Sequence, residues 1–435
     1  MLLDVPTRIA ASPAAQRART TPGLLTAITA GLVALGLLWS VAGLLAVGRR
    51  ADRVDDVRTV SGPLSVHALD IYRSLSDADA TAAAAFLGAG TETSALRTRY
   101  LDDVAEAGAA IASALRATSS ANDPGRASEN QLRLLAAGLP VYTGLVETAR
   151  AYDRQQLPLG AAYLREASGL MRDTLLPAAQ RLVTLETGRL ADAQRRGADF
   201  PVPVLIAGLV LLLALAGAQA FLTRRTNRLI NPGLAVASLA TVVALVWFVV
   251  AVGSAVGNLN IGRESGSEQF TRLAEARVAV LQARADESLT LIARGDGRAD
   301  ERHYAEMLTG LIGNDGRGGL LGDVAAGPGA DRAQVERIAG LAARWRALHD
   351  DVRELDDGGR YDEAVELASG PPSATFEQLD RALDEYVDAT GHWFDARADQ
   401  AAADLAGART AVAGLGLLVL AAVVLGTRNR IGEYR

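Results

Sequence analysis

Four uncharged apolar runs punctuate an otherwise charged chain: Gly23 to Val47, Phe200 to Leu222, Leu234 to Val256 and Thr410 to Thr427. Each is long enough for a helix to cross a hydrocarbon core of ~30 Å, so the pattern predicts four transmembrane helices. The first run follows Arg17 and Arg19 and ends near a small-residue "AVG", which resembles a signal peptide. Its apolar stretch far exceeds the ~7 to 15 residues of such a segment, and it reads as a span.

Between the runs lie two long polar segments, residues 48–199 and 257–409. In the first, Val57, Val60, Leu64, Ala68, Ile71, Leu75, Ala78, Ala82 and Ala85 recur at three- and four-residue steps, the signature of a helix with one buried stripe. Gly62 and Pro63 fall inside the stripe and predict a bend. Clusters of Gly, Pro, Asn and Asp at 88–93, 119–125 and 155–160 divide the segment into four helices. The second segment breaks likewise at "RGDGRAD", at 314–330, and at "DDGG" followed by "SGPPS". Its last helix keeps a stripe through Phe376, Leu379, Leu383, Tyr386, Thr390, Trp393 and Ala396. The first and last helices of each segment are expected to run on into the spans, with a kink at Pro177.

The two segments share a phrase. "DADATAAAAFLGAG" at 77–90 lies over "RADESLTLIARGDG" at 284–297, with Asp79 on Asp286, Thr81 on Ser288, and Gly88 and Gly90 on Gly295 and Gly297. A second anchor sets Ala167, Ser168 and Gly169 over Ala368, Ser369 and Gly370. The order span, segment, span, turn, span, segment, span then reads as a tandem duplication. The expected fold is all-α: an integral membrane protein with four transmembrane helices and two tandem extracytoplasmic four-helix bundles.

Charge orients this arrangement. Arg8, Arg17 and Arg19 precede the first span, Arg224, Arg225 and Arg228 fill the turn at 223–233, and Arg428, Arg430 and Arg435 follow the last span. The positive-inside rule places these three parts in the cytoplasm and both long segments outside it. Nine arginines against Asp4 and Glu433 make +7, so the long segments carry −13 of a total of −6. The chain has no cysteine, hence no disulfide framework or thiolate site. All its basic residues are arginine, a mark of a GC-rich genome.

Candidate chemistry is sparse. His67, His303, His349 and His392 show no metal-ligand spacing, and no nucleophile or phosphate-loop motif is present. Asp350, Asp351, Asp356, Asp357 and Asp362 lack the spacing of a calcium loop. No enzyme activity, metal or cofactor is expected. The spans hold no charged residue, which argues against a transport pathway; their small residues suit helix packing. The repeated phrase admits two readings. In one it is packing: Asp79 and Asp286 cap a helix or face solvent, Thr81 and Ser288 fit a crowded seam, and the glycines form a left-handed helix end. In the other it is a recognition surface, because Arg99-Tyr100 and His303-Tyr304 follow it, and Arg97, Arg99 and Arg302 suit a carboxylate.

The outer segments resemble the four-helix sensor domains of chemoreceptors and histidine kinases, although no kinase or methyl-accepting region follows. The doubled layout, with "SDADATAAAAFLGAG" followed by "LRTRYLDDVAEA", resembles the actinobacterial GlnX-type membrane proteins over essentially the whole chain. The resemblance implies a signalling adaptor between an extracytoplasmic amino-acid-binding lipoprotein of the GlnH type and a cytoplasmic serine/threonine kinase, protein kinase G. On that reading the cytoplasmic arginines Arg224, Arg225, Arg228, Arg428 and Arg430 would contact the inner partner. The bilayer is itself a partner, a homo-oligomer is compatible with the layout, and no nucleic-acid partner is expected. The other reading is a structural or assembly protein whose bundles bind envelope components without signalling.

Overall fold

The computed structural model describes residues 21–87, 93–119, 126–198, 201–226, 231–262 and 266–432. These residues are helical almost throughout, with no strand among them. In chain order the helices are α1 (Thr21–Asp56), α2 (Gly62–Leu87), α3 (Ser94–Ser119), α4 (Arg126–Asp153), α5 (Leu159–Leu170), α6 (Leu176–Ala198) and α7 (Val202–Thr226). They continue with α8 (Pro232–Gly262), α9 (Glu268–Ile292), α10 (Arg298–Ile312), α11 (Gly319–Ala326), α12 (Arg332–Asp357), α13 (Tyr361–Ala368) and α14 (Pro371–Gly432). The chain folds into two compact units.

The apolar unit is built from α1, α7, α8 and the C-terminal part of α14. Among the described residues, four helices are long and apolar enough to cross a membrane. Their inner faces share one core around Trp39, Leu211, Leu234 and Val423, while Leu38, Leu213, Leu239 and Leu417 point outward and are each at least 65% exposed. Leucines on outer faces suit lipid, where an apolar exterior carries no hydrophobic penalty. Backbones meet where α8 passes α14: a Cβ on Gly233 would lie 2.3 Å from the Gly426 Cα and 2.8 Å from the Ala422 carbonyl oxygen. The Asn231 side-chain amide closes this crossing by donating to the Gly426 carbonyl at 3.1 Å. Gly233→Ala is therefore expected to push the helices apart and cost about 1–3 kcal/mol. Thermal unfolding in nanodiscs should show a lowered midpoint, whereas Gly217→Ala, which meets only open space, should not.

The polar unit contains residues 55–196 and 259–399. The two long segments thus form one compact body here, with α2 packed along α9. One core gathers α2 to α6 and takes in Ala274, Val278 and Leu289 of α9; another gathers α9 to α12 with the start of α14 around Trp345 and Leu379. The single stripe expected for the first helix understates its burial. From Ile71 to Ala83 only Arg73 is not buried, because α3 covers one side of α2 and α9 another. The run "SLSDADATAAAA" permits this, since alanine and serine let helices approach from all directions.

The expected breaks fall where the helices end, with two differences. Short helices α11 and α13 occupy stretches that read as connections or as parts of longer helices. Of the inner junctions, the one into the second span is broken, since α7 begins at Val202 after Pro201; the junction between α8 and α9 includes residues 263–265, which lie outside the described residues. Pro201 lacks a donor N–H and suits only a helix start. The outer ones do run on, since α1 continues into α2 and α14 is a single helix of 62 residues. Near Pro63 and Pro177, where bends were expected, the helices carry π turns at Val57–Ser61 and Met171–Leu175, each ending two residues before its proline. A proline cannot donate to the carbonyl four residues back. Those carbonyls, on Thr59 and Asp173, lie inside the wide turns.

Candidate functional site

The repeated phrase begins in the C-terminal halves of α2 and α9, two helices packed together in the polar unit, and its charged residues within these helices are buried. Neither aspartate caps a helix or faces solvent, as the packing reading had it: Asp79 is 6% exposed and Asp286 is 1% exposed. A buried carboxylate needs hydrogen bonds, and each copy finds them differently. Asp79 Oδ1 accepts from Tyr142 at 3.1 Å and Ser168 at 2.9 Å. Burial pushes the Asp79 carboxyl up to about 6, against those two bonds. Asp286 accepts from Arg172 Nη2 at 2.7 Å and meets His303 Nδ1 at 2.5 Å. Arg172 also donates to Asp300 at 2.9 Å, so one arginine of the first segment holds two carboxylates of the second. Burial raises the Asp286 pKa, and the bond to Asp286 raises that of His303.

A second crossing runs through Arg99. Its Nη2 donates to Asp77 at 2.8 Å and to Asp380 at 3.2 Å, joining α3 to α2 and to α14. Asp380 accepts in turn from Arg277 Nε at 2.8 Å, and Arg277 also pairs with Asp384. Nearby, burial pushes the Asp103 carboxyl up to about 7, with the Asp77 charge adding to it. Two cavities flank this network. One, of 450 Å³, is lined by Asp70, Arg73, Arg277 and Asp388 above Phe270 and Phe394. The other, of 290 Å³, is lined by Asp77, Thr81, Arg99, Arg284, Ser373 and Phe376 among others.

The third group lies among α9, α10 and α12. His349, 1% exposed, faces Glu287 through Nδ1 at 3.3 Å and Glu301 through Nε2 at 3.2 Å, and stacks on Tyr304 with ring centroids 3.8 Å apart. Burial works against its charge, but the bonds to the two glutamates prevail and raise its pKa to about 9. Glu287 stays below the ordinary glutamate value despite complete burial, held there by Arg284 and His349.

The residues chosen from the sequence therefore separate. Thr81 and Arg99 share the smaller cavity; Asp286 and His303 touch each other. Ser288 is fully buried and donates to the Arg284 carbonyl. Tyr100 and Tyr304 are core residues at 1% and 2% exposure, Tyr100 lying beneath the Arg150 guanidinium. Arg97 forms a two-bond pair with Glu147, at 2.7 and 3.2 Å, and Arg302 is exposed and donates to the Arg298 carbonyl. Gly88 and Gly90 lie outside the described residues; in the second copy Gly295 has φ +96°, the left-handed end expected of it. Arg224 and Arg428 are exposed, Arg228 lies outside the described residues, and for Arg225 and Arg430 only the helical backbone is described. No group of carboxylates and histidines suited to a metal occurs among the described residues.

Sequence reasoning passed over Asp77 and Arg284, although both stand in the quoted phrase. They occupy the same repeat position with opposite charges, and both line the smaller cavity while pairing elsewhere, Asp77 with Arg99 and Arg284 with Glu287. Arg172, Arg277 and Asp380 carry no local sign, because their partners lie about a hundred residues or more away.

A helical polar body holding buried charge networks beside cavities, on a chain with four membrane-length helices among its described residues, suits reception of a signal. Residues 53–195 match the model of the actinobacterial sensor domain family. The matched stretch begins near the end of α1 and closes near the end of α6, taking in Asp79, Arg99 and Arg172. It supports an actinobacterial sensor protein. No curated protein and no solved structure matches the chain.

Proposed function

We propose that this chain is a non-enzymatic transmembrane sensor and adaptor. The polar unit lies outside the cytoplasm and receives an amino-acid signal carried by a solute-binding lipoprotein. A serine/threonine kinase inside the cell takes up that signal at Arg224, Arg225, Arg228, Arg428 and Arg430. The observation that carries the sensing role is the sensor-domain match over residues 53–195. The arginine clusters support the orientation. The uninterrupted helix from Leu24 to Leu87 and the single helix α14 support the relay, since each carries covalent structure from one unit into the other. The common phrase in α2 and α9 supports an internal duplication whose halves have come to rest on each other.

The test uses the full chain in nanodiscs. Amino-acid-loaded solute-binding lipoprotein should bind more tightly than the empty form, and addition of the loaded form should change capture of the kinase by the arginine-bearing side. Arg224→Ala with Arg225→Ala should leave outer binding intact and abolish kinase capture. Equal binding of loaded and empty lipoprotein would refute the sensing role and favour a structural one.

A further inference from the structure

The smaller cavity contains polar groups that the ion pairs leave unused. Its walls come from α2, α3, α9 and α14, all within the polar unit. Thr81 lines it, is 4% exposed, and makes no hydrogen bond among the described residues. A helical threonine commonly returns its proton to the carbonyl four residues back, as Thr375 and Thr390 do here. Arg99 sends both of its bonds through Nη2; its Nη1 and Nε make none among the described residues. At the rim, Glu377 faces Arg381 only at 3.8 Å. The Thr81 hydroxyl and an unused guanidinium edge of Arg99 thus border one space of 290 Å³.

We propose that this cavity binds the carboxylate of a small organic acid, with Arg99 and Thr81 as its donors. A planar guanidinium matches a carboxylate in shape and charge, and a hydroxyl without a protein partner can donate to an acceptor that enters the cavity. Asp77 and Glu377 in the same lining disfavour a dianion such as phosphate. The volume is at the lower end of ligand sites, which run from ~300 Å³ upward, so the body of the ligand has few heavy atoms. Glu377 also offers a seat for an ammonium group, which favours amino acids with short side chains. The proposal goes beyond the reading above, because here the chain itself meets the small molecule. Both segments wall the cavity, so an occupant touches both.

Calorimetry on the full chain in nanodiscs tests this with propionate, glycine and L-alanine against propionamide and glycinamide, which keep the body and lose the carboxylate. The acids should bind and the amides should not. Tighter binding of L-alanine than of propionate would assign an amino acid, and equal binding a plain acid; both uphold the site. Thr81→Val should weaken binding about 3- to 10-fold while preserving the thermal midpoint without ligand. Ala84→Leu, which fills the cavity without touching an ion pair, should abolish it. No carboxylate-dependent heat with the wild type, or unchanged affinity in Ala84→Leu, would overturn the proposal. If the loaded lipoprotein binds while free acids do not, the cavity proposal alone falls; if the acids bind while the lipoprotein does not, the relay reading alone falls.

Discussion

Arg172→Ala should destabilise the polar unit by about 3 kcal/mol, the lower part of the range for removing one partner of a buried ion pair. The substitution deletes the bonds to Asp286 and Asp300 and leaves the Asp286 carboxylate, 2% exposed at its side chain, with His303 alone. The retained histidine and the 31% exposure of the Arg172 side chain keep the loss from being larger. Arg172→Lys should recover only part of it, because one ammonium does not reproduce the planar guanidinium. Pairing Arg172→Met with Asp286→Asn should cost less than the two changes summed, since the double variant no longer leaves the buried Asp286 charge without its arginine. Urea unfolding of the full chain reads all three. A loss below about 0.5 kcal/mol for Arg172→Ala would place the arginine among ordinary surface pairs and remove it from the seam.

The stability of the polar unit should fall as pH rises from about 6.5 to about 9. The folded protein raises the His349 pKa to about 9 from 6.5, so over that interval the folded state holds a proton that the unfolded state has released. Stability from this group is complete below 6.5 and is lost as pH passes through 9. A single group of this kind gives a slope of at most about 1.4 kcal/mol per pH unit. Asp103, raised to about 7, and Asp79, raised to about 6, act in the same direction at lower pH. His349→Gln should remove the part of the slope between 6.5 and 9. It should also cost about 3 kcal/mol at pH 7, because Glu287 is then left with Arg284 as its only cation. Thermal midpoints of both proteins across pH 6 to 9.5 decide the matter, and parallel curves would show that His349 is uncharged in the fold.

The all-helical fold and the placing of the helix ends were legible in the chain because they depend on local chemistry. Gly295 and the break at residues 155–160 act within a few residues of themselves, whereas the break at Pro201 went unread. The meeting of α2 with α9 was not legible, for a reason visible in the repeated phrase. Asp77, Asp79, Arg284, Asp286 and Glu287 read as polar positions that belong on a solvated face. In the fold each is buried with a partner: Asp77 with Arg99, Asp79 with Tyr142 and Ser168, Arg284 with Glu287, and Asp286 with Arg172 across the seam, and partnering is what lets a charged position be buried. A hydrophobic stripe therefore finds the apolar contacts of α2 and misses those made through charge. Thr81 and Arg99 were found because the phrase and its sequel drew notice to them; Arg172, Asp380 and His349 stand in stretches with no pattern to mark them.

The π turns before Pro63 and Pro177 carry a consequence for tolerance to length change. A π turn holds one residue more than the α-helical repeat, and each residue advances the helix by about 100°. The residues of α6 below Met171–Leu175 are thereby rotated relative to those of α5 above it, and Leu164 and Leu182 reach the same core from different angular frames. Loss or gain of a single residue, which a surface loop would absorb without effect, would here swing Leu176, Ala179, Leu182 and Val183 away from their partners. Arg172 would lose its aim at Asp286 in the same movement.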